Sequence, residues 1–265
     1  MTVQYQQYRY LNKMTTPNPP IPFAVLRNAH EGFRAGMKEL RELITAQGNV
    51  SPFRNAWVGY QRALSAHAAM EDFEIFPLLD AVGNGSLVQE GIPEEHVTDH
   101  HNVARVDAAL ADETNADQWG AITEAFEVWN MYHLGHLERE ERIMGPLTNK
   151  TAPTLEGRCR IVYDKVIVPS VLRSSTEFDF FVGWVVRQLS ARGSTANPAI
   201  VAVRVFVHGL KASSDATLWV HLLPIVKDHC SEDIYSEMKA LYFIEDLSQM
   251  QQPSIADVPV AVLAR

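Results

Sequence analysis

The chain has 265 residues, of which 46 % are apolar and 21 % are charged, and its formal net charge is −9. Such a composition is typical of a globular protein with enough length to bury a sizeable core. The acidic balance argues against a nucleic-acid partner, and no run of about 18 apolar residues predicts a membrane span. The start lacks the apolar core of a signal peptide, and two cysteines make no disulfide framework, so we expect a cytoplasmic protein.

Two helices are predicted first along the chain. In the first, apolar residues and one histidine recur at alternating steps of three and four, which is the spacing of one helix face. These residues are Phe23, Leu26, His30, Phe33, Met37, Leu40 and Ile44. The second helix carries His67, Glu71 and Glu74 on its apolar stripe. Pro77 and the glycine-rich stretch at 83–86 predict where this helix ends.

A third and a fourth helix follow with the same type of pattern. Pro93 predicts the start of the third helix, whose inner face carries His96 and His100. The fourth carries His133, His136 and Glu140 on a stripe that otherwise consists of apolar residues, and Pro146 predicts its end. A carboxylate on a buried stripe is costly unless it has a partner, so we interpret these polar residues as parts of one site.

One sequence motif occurs twice in similar form. "HAAMEDFEIFPLL" begins at His67 and "HLEREERIMGPL" begins at His136, and in each phrase a glutamate follows the histidine after four residues. The preceding helix of each half also carries an inward histidine, His30 in the first half and His100 in the second. We therefore predict an all-α fold, an up-down four-helix bundle with an internal two-fold repeat.

The repeated residues have the chemistry of metal ligands. Histidine and glutamate one helical turn apart point in the same direction, and imidazole with carboxylate suits Fe, Mn or Zn. A set of seven is too large for one tetrahedral zinc and suits two ions with an open coordination position. The candidate ligands are His30, His67, Glu71, His96, His100, His136 and Glu140.

These motifs resemble the hemerythrin-like (HHE) family of non-haem di-iron four-helix bundles. The resemblance covers residues 20–150 and rests on His30, on the two repeated motifs, and on "HVTDHH" with His96 and His100. It implies two iron ions bridged by carboxylates, with Mn or Zn as alternatives, and dioxygen or peroxide as the small partner.

The resemblance leaves the last carboxylate open. Oxygen-carrying hemerythrins have it five residues after the histidine, which is Glu141 here, whereas relatives with the repeated motif have it four residues after, at Glu140. Glu140 lies about 40° around the helix from His136 and Glu141 about 140°, so Glu140 is preferred. Glu74 on the same stripe as Glu71 is interpreted as a spare ligand or a base, or as a side chain that reaches solvent.

His133 departs from the oxygen carriers of that family, where an apolar residue is expected one turn before the histidine ligand. A histidine at this position suits a proton or hydrogen-bond donor to bound peroxide, or an additional ligand. The other interpretation is a histidine that is hydrogen-bonded across a helix interface. A proton donor would favour turnover over reversible binding.

Three regions are predicted: a flexible arm at 1–19, the bundle at 20–150, and a helical region at 151–265 that packs on the bundle. In the last region, "STEFDFFVGWVVRQLSARG" predicts a helix with Thr176 and Asp179 as a capping box and Gly193 as its stop. "AIVAVRVFVHGL" alternates like a strand but is predicted as helix for want of a partner strand. This segment contains His208, and two more histidines follow, His221 and His229. We interpret all three as structural or surface residues.

Three functions are compatible with these motifs. The preferred one is an O2-dependent oxidoreductase that acts on a small organic substrate, because a carrier needs no additional hundred residues. The alternative is a sensor or store for O2, iron or redox state without turnover. A module with a vestigial site is disfavoured, because the ligand set is intact. Residues 151–265 are expected to cover the bundle, form a substrate pocket or serve a homodimer. A large cavity beside the metal site would favour the enzyme, and a gas-sized one the sensor.

Overall fold

The computed structural model describes residues 21–191 and 198–236, and every regular element within these ranges is helical. The all-α prediction is confirmed for this part of the chain. The arm predicted at 1–19 and the helix stop predicted at Gly193 lie outside the described residues.

The helices are numbered α1 to α11 in chain order. The first part of the chain forms α1 (Ile21–Ala46), α2 (Val50–Met70), a first π-helical turn (Glu71–Ile75), α3 (Phe76–Gly83), α4 (Ser86–Gln89), α5 (Ile92–Ala111) and α6 (Gln118–Thr148). The later part forms α7 (Leu155–Val162), a second π-helical turn (Tyr163–Ile167), α8 (Val168–Arg173), α9 (Ser175–Ser190), α10 (Pro198–Ala212) and α11 (Ala216–His229).

Four helices carry the predicted site residues, namely α1, α2, α5 and α6. Helix α1 packs against α2 and α6, and α6 runs along α5. Aromatic side chains fill the space between them, and the ring of Trp129 meets those of Trp57 and Tyr60 edge to face at centroid distances of 4.8 and 5.1 Å. This arrangement places all four polar stripes around one interior, while the two-fold repeat stays a prediction.

Of the two signals predicted to end the second helix, the glycine-rich stretch at 83–86 is confirmed, whereas Pro77 does not end it. The chain continues through the first π-helical turn into α3, and Pro77 lies in the first turn of α3, which ends at Gly83. Proline is tolerated in a first turn because its missing N–H is not needed there. The prediction at Pro77 failed because a π-helical turn immediately before the proline cannot be recognised from residue spacing.

The strand-like segment predicted as helix is helix α10. Its alternating valines are explained by burial on several sides, since Val203, Val205, Phe206 and Val207 are all buried. A helix that is surrounded by protein needs no single apolar stripe. The helix prediction for this segment is therefore confirmed.

The predicted cap of α9 needs correction. Ser174, not Thr176, precedes the helix, and its hydroxyl accepts a hydrogen bond from the Glu177 backbone N–H at 3.3 Å. Asp179 instead accepts a hydrogen bond from His221 Nε2 at 2.8 Å. Ser174 with Glu177 and Thr176 with Asp179 both have the spacing of a capping box, and only Ser174 directly precedes the observed start at Ser175.

Helix α9 packs closely on α1 and α2 because two glycines on α1 leave room for it. A Cβ atom at Gly36 would lie 2.9 Å from the Tyr60 ring and 3.0 Å from the Trp184 ring. A Cβ atom at Gly32 would lie 3.3 Å from Val185 Cγ1. The later helices thus share one apolar core with α1, α2, α5 and α6. The boundary predicted at 150 stays a prediction.

No helix within 21–191 and 198–236 combines the length and the apolar content that crossing a bilayer would require.

Candidate metal centre

Six buried histidine and glutamate side chains meet in the interior between α1, α2, α5 and α6. They form two groups, and within each group the ligand atoms all lie within 4.8 Å of one another. The first group is His30, His67, Glu71 and Glu140, and the second is His96, His136 and Glu140. All six side chains are buried, and Glu71 and Glu140 are 1 % and 0 % exposed.

The two carboxylates lie between the groups. Glu71 Oε1 is 3.2 Å from His67 Nε2 and 3.8 Å from His30 Nε2, while its Oε2 is 3.5 Å from His96 Nε2. Each carboxylate oxygen of Glu71 therefore faces a different group.

Glu140 mirrors this arrangement. Its Oε1 is 3.2 Å from His136 Nε2 and 3.6 Å from His96 Nε2, and its Oε2 is 3.6 Å from His30 Nε2. Both carboxylates can therefore serve two neighbouring cation positions at once.

These separations fit coordination better than hydrogen bonding. Two ligand atoms at about 2.1 Å from one ion lie about 3.0 Å apart at a right angle and up to about 4.2 Å apart at a straight angle, whereas N–H···O hydrogen bonds have lengths of about 2.7–3.2 Å. Within the described part of the chain, five of these buried atoms have no hydrogen-bond partner. They are His30 Nε2, His67 Nε2, Glu71 Oε1 and both carboxylate oxygens of Glu140. Buried polar atoms without partners are costly, and cations would satisfy them.

The far side of three imidazoles is held by a carboxylate. His30 Nδ1 is 3.1 Å from Glu141 Oε1, and His96 Nδ1 is 2.9 Å from Asp72 Oδ1. His136 Nδ1 is 2.8 Å from a Glu95 oxygen. An ionised carboxylate accepts, so Nδ1 is the donor in each pair. Such a contact fixes the ring orientation and directs Nε2 to the interior, as in many metal sites.

His67 lacks such a carboxylate. Its Nδ1 has no hydrogen-bond partner among the described residues, and its ring stacks on Phe181 with centroids 5.7 Å apart and planes at 11°. Its orientation therefore depends on packing.

The electrostatics of the histidines follow these contacts. Burial would lower the pKa of His30, but the hydrogen bond to Glu141 and the nearby carboxylates raise it to about 9. Burial opposes protonation of His96 as well, yet the hydrogen bond to Asp72 and the two central glutamates raise its pKa to about 12. For His67, burial prevails and lowers the pKa to about 4.

The two central carboxylates are held in their ionised form. Burial raises the pKa of Glu71, but the neighbouring histidines outweigh it and move the pKa well below its usual value. For Glu140, burial and the charge of Glu71 are likewise outweighed, mainly by His136, so that its pKa falls to about 2. Without metal, the protonated imidazoles of His30 and His96 balance the two glutamates, and bound cations would take the place of those protons.

Comparison with protein-family models identifies the architecture to which this site belongs. Residues 11–148 match the model of the hemerythrin HHE cation binding domain, which is more than half of the chain. The chain belongs to the hemerythrin HHE family. Neither the search of curated proteins nor that of solved structures gave a match. The predicted resemblance is confirmed, and cation binding is the property that the family and the buried histidine–glutamate groups share.

Six of the seven predicted ligands of this hemerythrin-like protein come together, and His100 does not. It is exposed on α5, and the buried stripe of that helix runs through His96 and Asp99 instead. Positions three and four residues after His96 both fit one helix face, so spacing cannot separate them. The observed rotation of α5 brings Asp99 next to His133. His100 nevertheless lines a small cavity beside the two groups, so its role as a ligand stays a prediction.

Glu140, not Glu141, lies between the two groups. Glu141 is 18 % exposed and contacts the outer nitrogen of His30, and it also accepts a hydrogen bond from Arg34 at 2.7 Å. The alternative role of Glu141 as a central ligand is thus not supported by its position.

Glu74 lies outside both groups. Although it is largely buried, it forms an ion pair with Arg173 of α8, so it connects the first π-helical turn to the later helices. This contact suits a structural role better than that of a spare ligand or base.

His133 is buried next to the site. Its Nδ1 lies 3.3 Å from Asp99 Oδ2, and its ring stacks on Trp129 with centroids 5.2 Å apart. Within the described residues neither Nδ1 nor Nε2 has a hydrogen-bond partner. The side chain therefore has a free nitrogen close to the metal ligands, and its role stays a prediction.

Sequence reasoning missed the outer role of the three carboxylates that hold imidazoles, namely Asp72, Glu95 and Glu141. Asp72 and Glu95 are direct neighbours of predicted ligands, Glu71 and His96. The available signal was the need of every buried imidazole for a second partner, but spacing does not say which helix supplies it. The later histidines, His208, His221 and His229, lie outside both groups, in agreement with their predicted structural or surface role.

Proposed function

We propose that this hemerythrin HHE protein holds two metal ions, each between two imidazoles and both bridging glutamates. The ligands proposed for one ion are His30 and His67, and those for the other are His96 and His136. One observation carries this proposal: Glu71 and Glu140 each face imidazoles of both groups. A single ion would not require two carboxylates in this bridging arrangement.

Iron is the metal that we propose. Imidazole and carboxylate suit Fe, Mn and Zn alike, and the family resemblance favours an iron pair. When bound, such a pair supplies electrons for the uptake of dioxygen or peroxide. The protein supplies the dry interior, the fixed imidazoles and a small space beside them.

That small space supports a diatomic or similarly small ligand. A cavity of about 10 Å³ is lined by His67, Glu71, His96, His133 and His136, together with Asp99, His100 and three apolar neighbours. This volume is about that of one water-sized sphere. We therefore propose dioxygen or peroxide as the ligand that occupies it.

His133 is the proton donor that we propose for this ligand. It lines the cavity, Asp99 Oδ2 lies 3.3 Å from its Nδ1, and neither ring nitrogen has a hydrogen-bond partner among the described residues. A neutral or charged imidazole at this position can donate a hydrogen bond, and when charged it can donate a proton.

The second candidate function is an oxidoreductase for a small organic substrate. It is favoured by a separate apolar cavity that includes His67 in its lining and is large enough for more than a gas molecule. If no substrate binds in that cavity, the protein would instead be a sensor or store that binds O2 reversibly.

The test is to load the protein anaerobically with ferrous iron, measure bound metal, and expose it to air under optical spectroscopy. We expect bound iron and a new absorption band on exposure. A band that disappears on degassing indicates reversible binding, and one that decays faster with an added organic compound indicates the oxidoreductase. Absence of bound iron would refute the proposal.

A further inference from the structure

A larger cavity lies where the later helices cover α1, α2 and α3. Its volume is about 100 Å³, and its walls are mostly Val, Leu, Ile, Phe and Met side chains. Among the described residues that line it there is no Asp, Glu, Lys or Arg. Two threonines at one end, Thr148 and Thr151, donate to the backbone carbonyls of Met144 and Thr148, so their hydroxyls are satisfied. A charged molecule would find no counter-charge there.

Both π-helical turns contribute to the wall of this cavity. Ile75 of the first turn and Val166 and Ile167 of the second all line it, and the two turns contact each other. A π-helical turn is an uncommon distortion of an α-helix and is frequently found at functional sites. Two such turns at the wall of one cavity indicate that the cavity is more than a packing defect.

The cavity and the candidate metal centre share one side chain. His67 lines both spaces, and Phe181, on which its ring stacks, lines the larger one. A molecule in the larger cavity would therefore lie against the one candidate ligand whose outer nitrogen no carboxylate holds.

We propose that this cavity binds an uncharged, apolar organic molecule of about the size of benzene or a short alkyl chain. An apolar cavity of about 150 Å³ in another protein stays dry and binds benzene, so the observed volume and lining suit such a ligand. The proposal deepens the oxidoreductase candidate by naming its substrate class, but binding of the ligand does not depend on a bound metal.

Toluene is a suitable probe, and calorimetry on the full-length protein measures its binding, with metal content determined for the same sample. We expect one toluene per chain and a higher Tm in its presence. Toluene binding with or without metal supports the cavity. Absence of toluene binding overturns the proposal, whatever the metal content, so this failure differs from loss of the metal centre.

Two phenylalanine variants locate the site. Val166→Phe fills the cavity and should weaken toluene binding at least tenfold. Val171→Phe is the matched control, because this valine lies on the adjacent helix α8, is partly buried, and does not line the cavity. The control should bind toluene within threefold of the parent protein. Equal binding in both variants would show that toluene binds elsewhere.

Two smaller substitutions on α9 test the same cavity if the Val166→Phe variant does not fold. Val182 and Val186 are both fully buried on α9, one turn apart, and only Val182 lines the cavity. We expect Val182→Ile to keep or raise the Tm and to weaken toluene binding, since the added methyl group enters empty space. Val186→Ile should lower the Tm by about 2–4 °C and leave toluene affinity unchanged. Equal behaviour of the two variants would contradict the presence of the cavity.

Discussion

The two groups of candidate ligands each contain two imidazoles and share Glu140, but their surroundings differ. In the second group, His96 and His136 each have a carboxylate at the outer nitrogen. In the first group only His30 has one, and His67 is held by its stack on Phe181 beside an apolar cavity. The shared glutamates explain how both groups could bind cations. Because no carboxylate holds the outer nitrogen of His67, a change in the packing around this ring should affect the first group more than the second.

The largest expected effect comes from a residue that belongs to both groups. Glu140→Ala should abolish binding of both ions and destabilise the chain by about 3–5 kcal/mol, because buried charged partners lose their counter-charge. Metal analysis and chemical unfolding measure the two effects. Glu138→Ala, an exposed glutamate on the same helix, is the control and should change neither. Two bound ions in Glu140→Ala would contradict its bridging role.

Replacing one histidine of each group separates the two groups. His67→Ala and His136→Ala should each lower bound metal by about one ion per chain, since each removes an imidazole from one group only. Elemental analysis after gel filtration gives the stoichiometry. If both variants keep the metal content of the parent protein, the site assignment is wrong.

The outer carboxylates should have a smaller effect, limited to the group that they support. Glu95→Ala removes the acceptor for His136 and should weaken metal binding about 10–100-fold. Competition with a chelator measures this change. Glu94→Ala, its exposed neighbour, is the control. If Glu95→Ala binds metal as tightly as the control, the outer contact does not tune the site.

The smallest effect on metal content is expected at His133. His133→Leu should retain the metal, because this side chain belongs to neither group. If the protein turns over, the variant should lose activity and hold oxygen longer, which stopped-flow spectroscopy would show. His101→Leu, on the exposed face of α5, is the control. Loss of metal in His133→Leu would make His133 a ligand instead of a proton donor.

Helix periodicity was sufficient to find most of the centre. The four-residue spacing of His67 with Glu71 and of His136 with Glu140 places each pair on one face, and the structure brings both pairs together. It could not separate His100 from Asp99, because the rotation of α5 is decided by packing across helices. The outer carboxylates follow from that same rotation, so spacing along one helix could not assign them.

The later helices were less predictable from the sequence. Their helical character could be inferred even for α10, where alternating valines suggest a strand, but their packing could not. The two π-helical turns have no signature in residue spacing, yet they form part of the cavity wall. The cavity itself results from contacts between distant segments, which no local pattern reports.

The measurement that tests the central claim most directly is the metal-to-protein ratio of the full-length chain after anaerobic loading with ferrous iron and removal of unbound metal. The bridging positions of Glu71 and Glu140 predict two ions per chain. A ratio of one, or none, would contradict a centre in which both glutamates serve two ions.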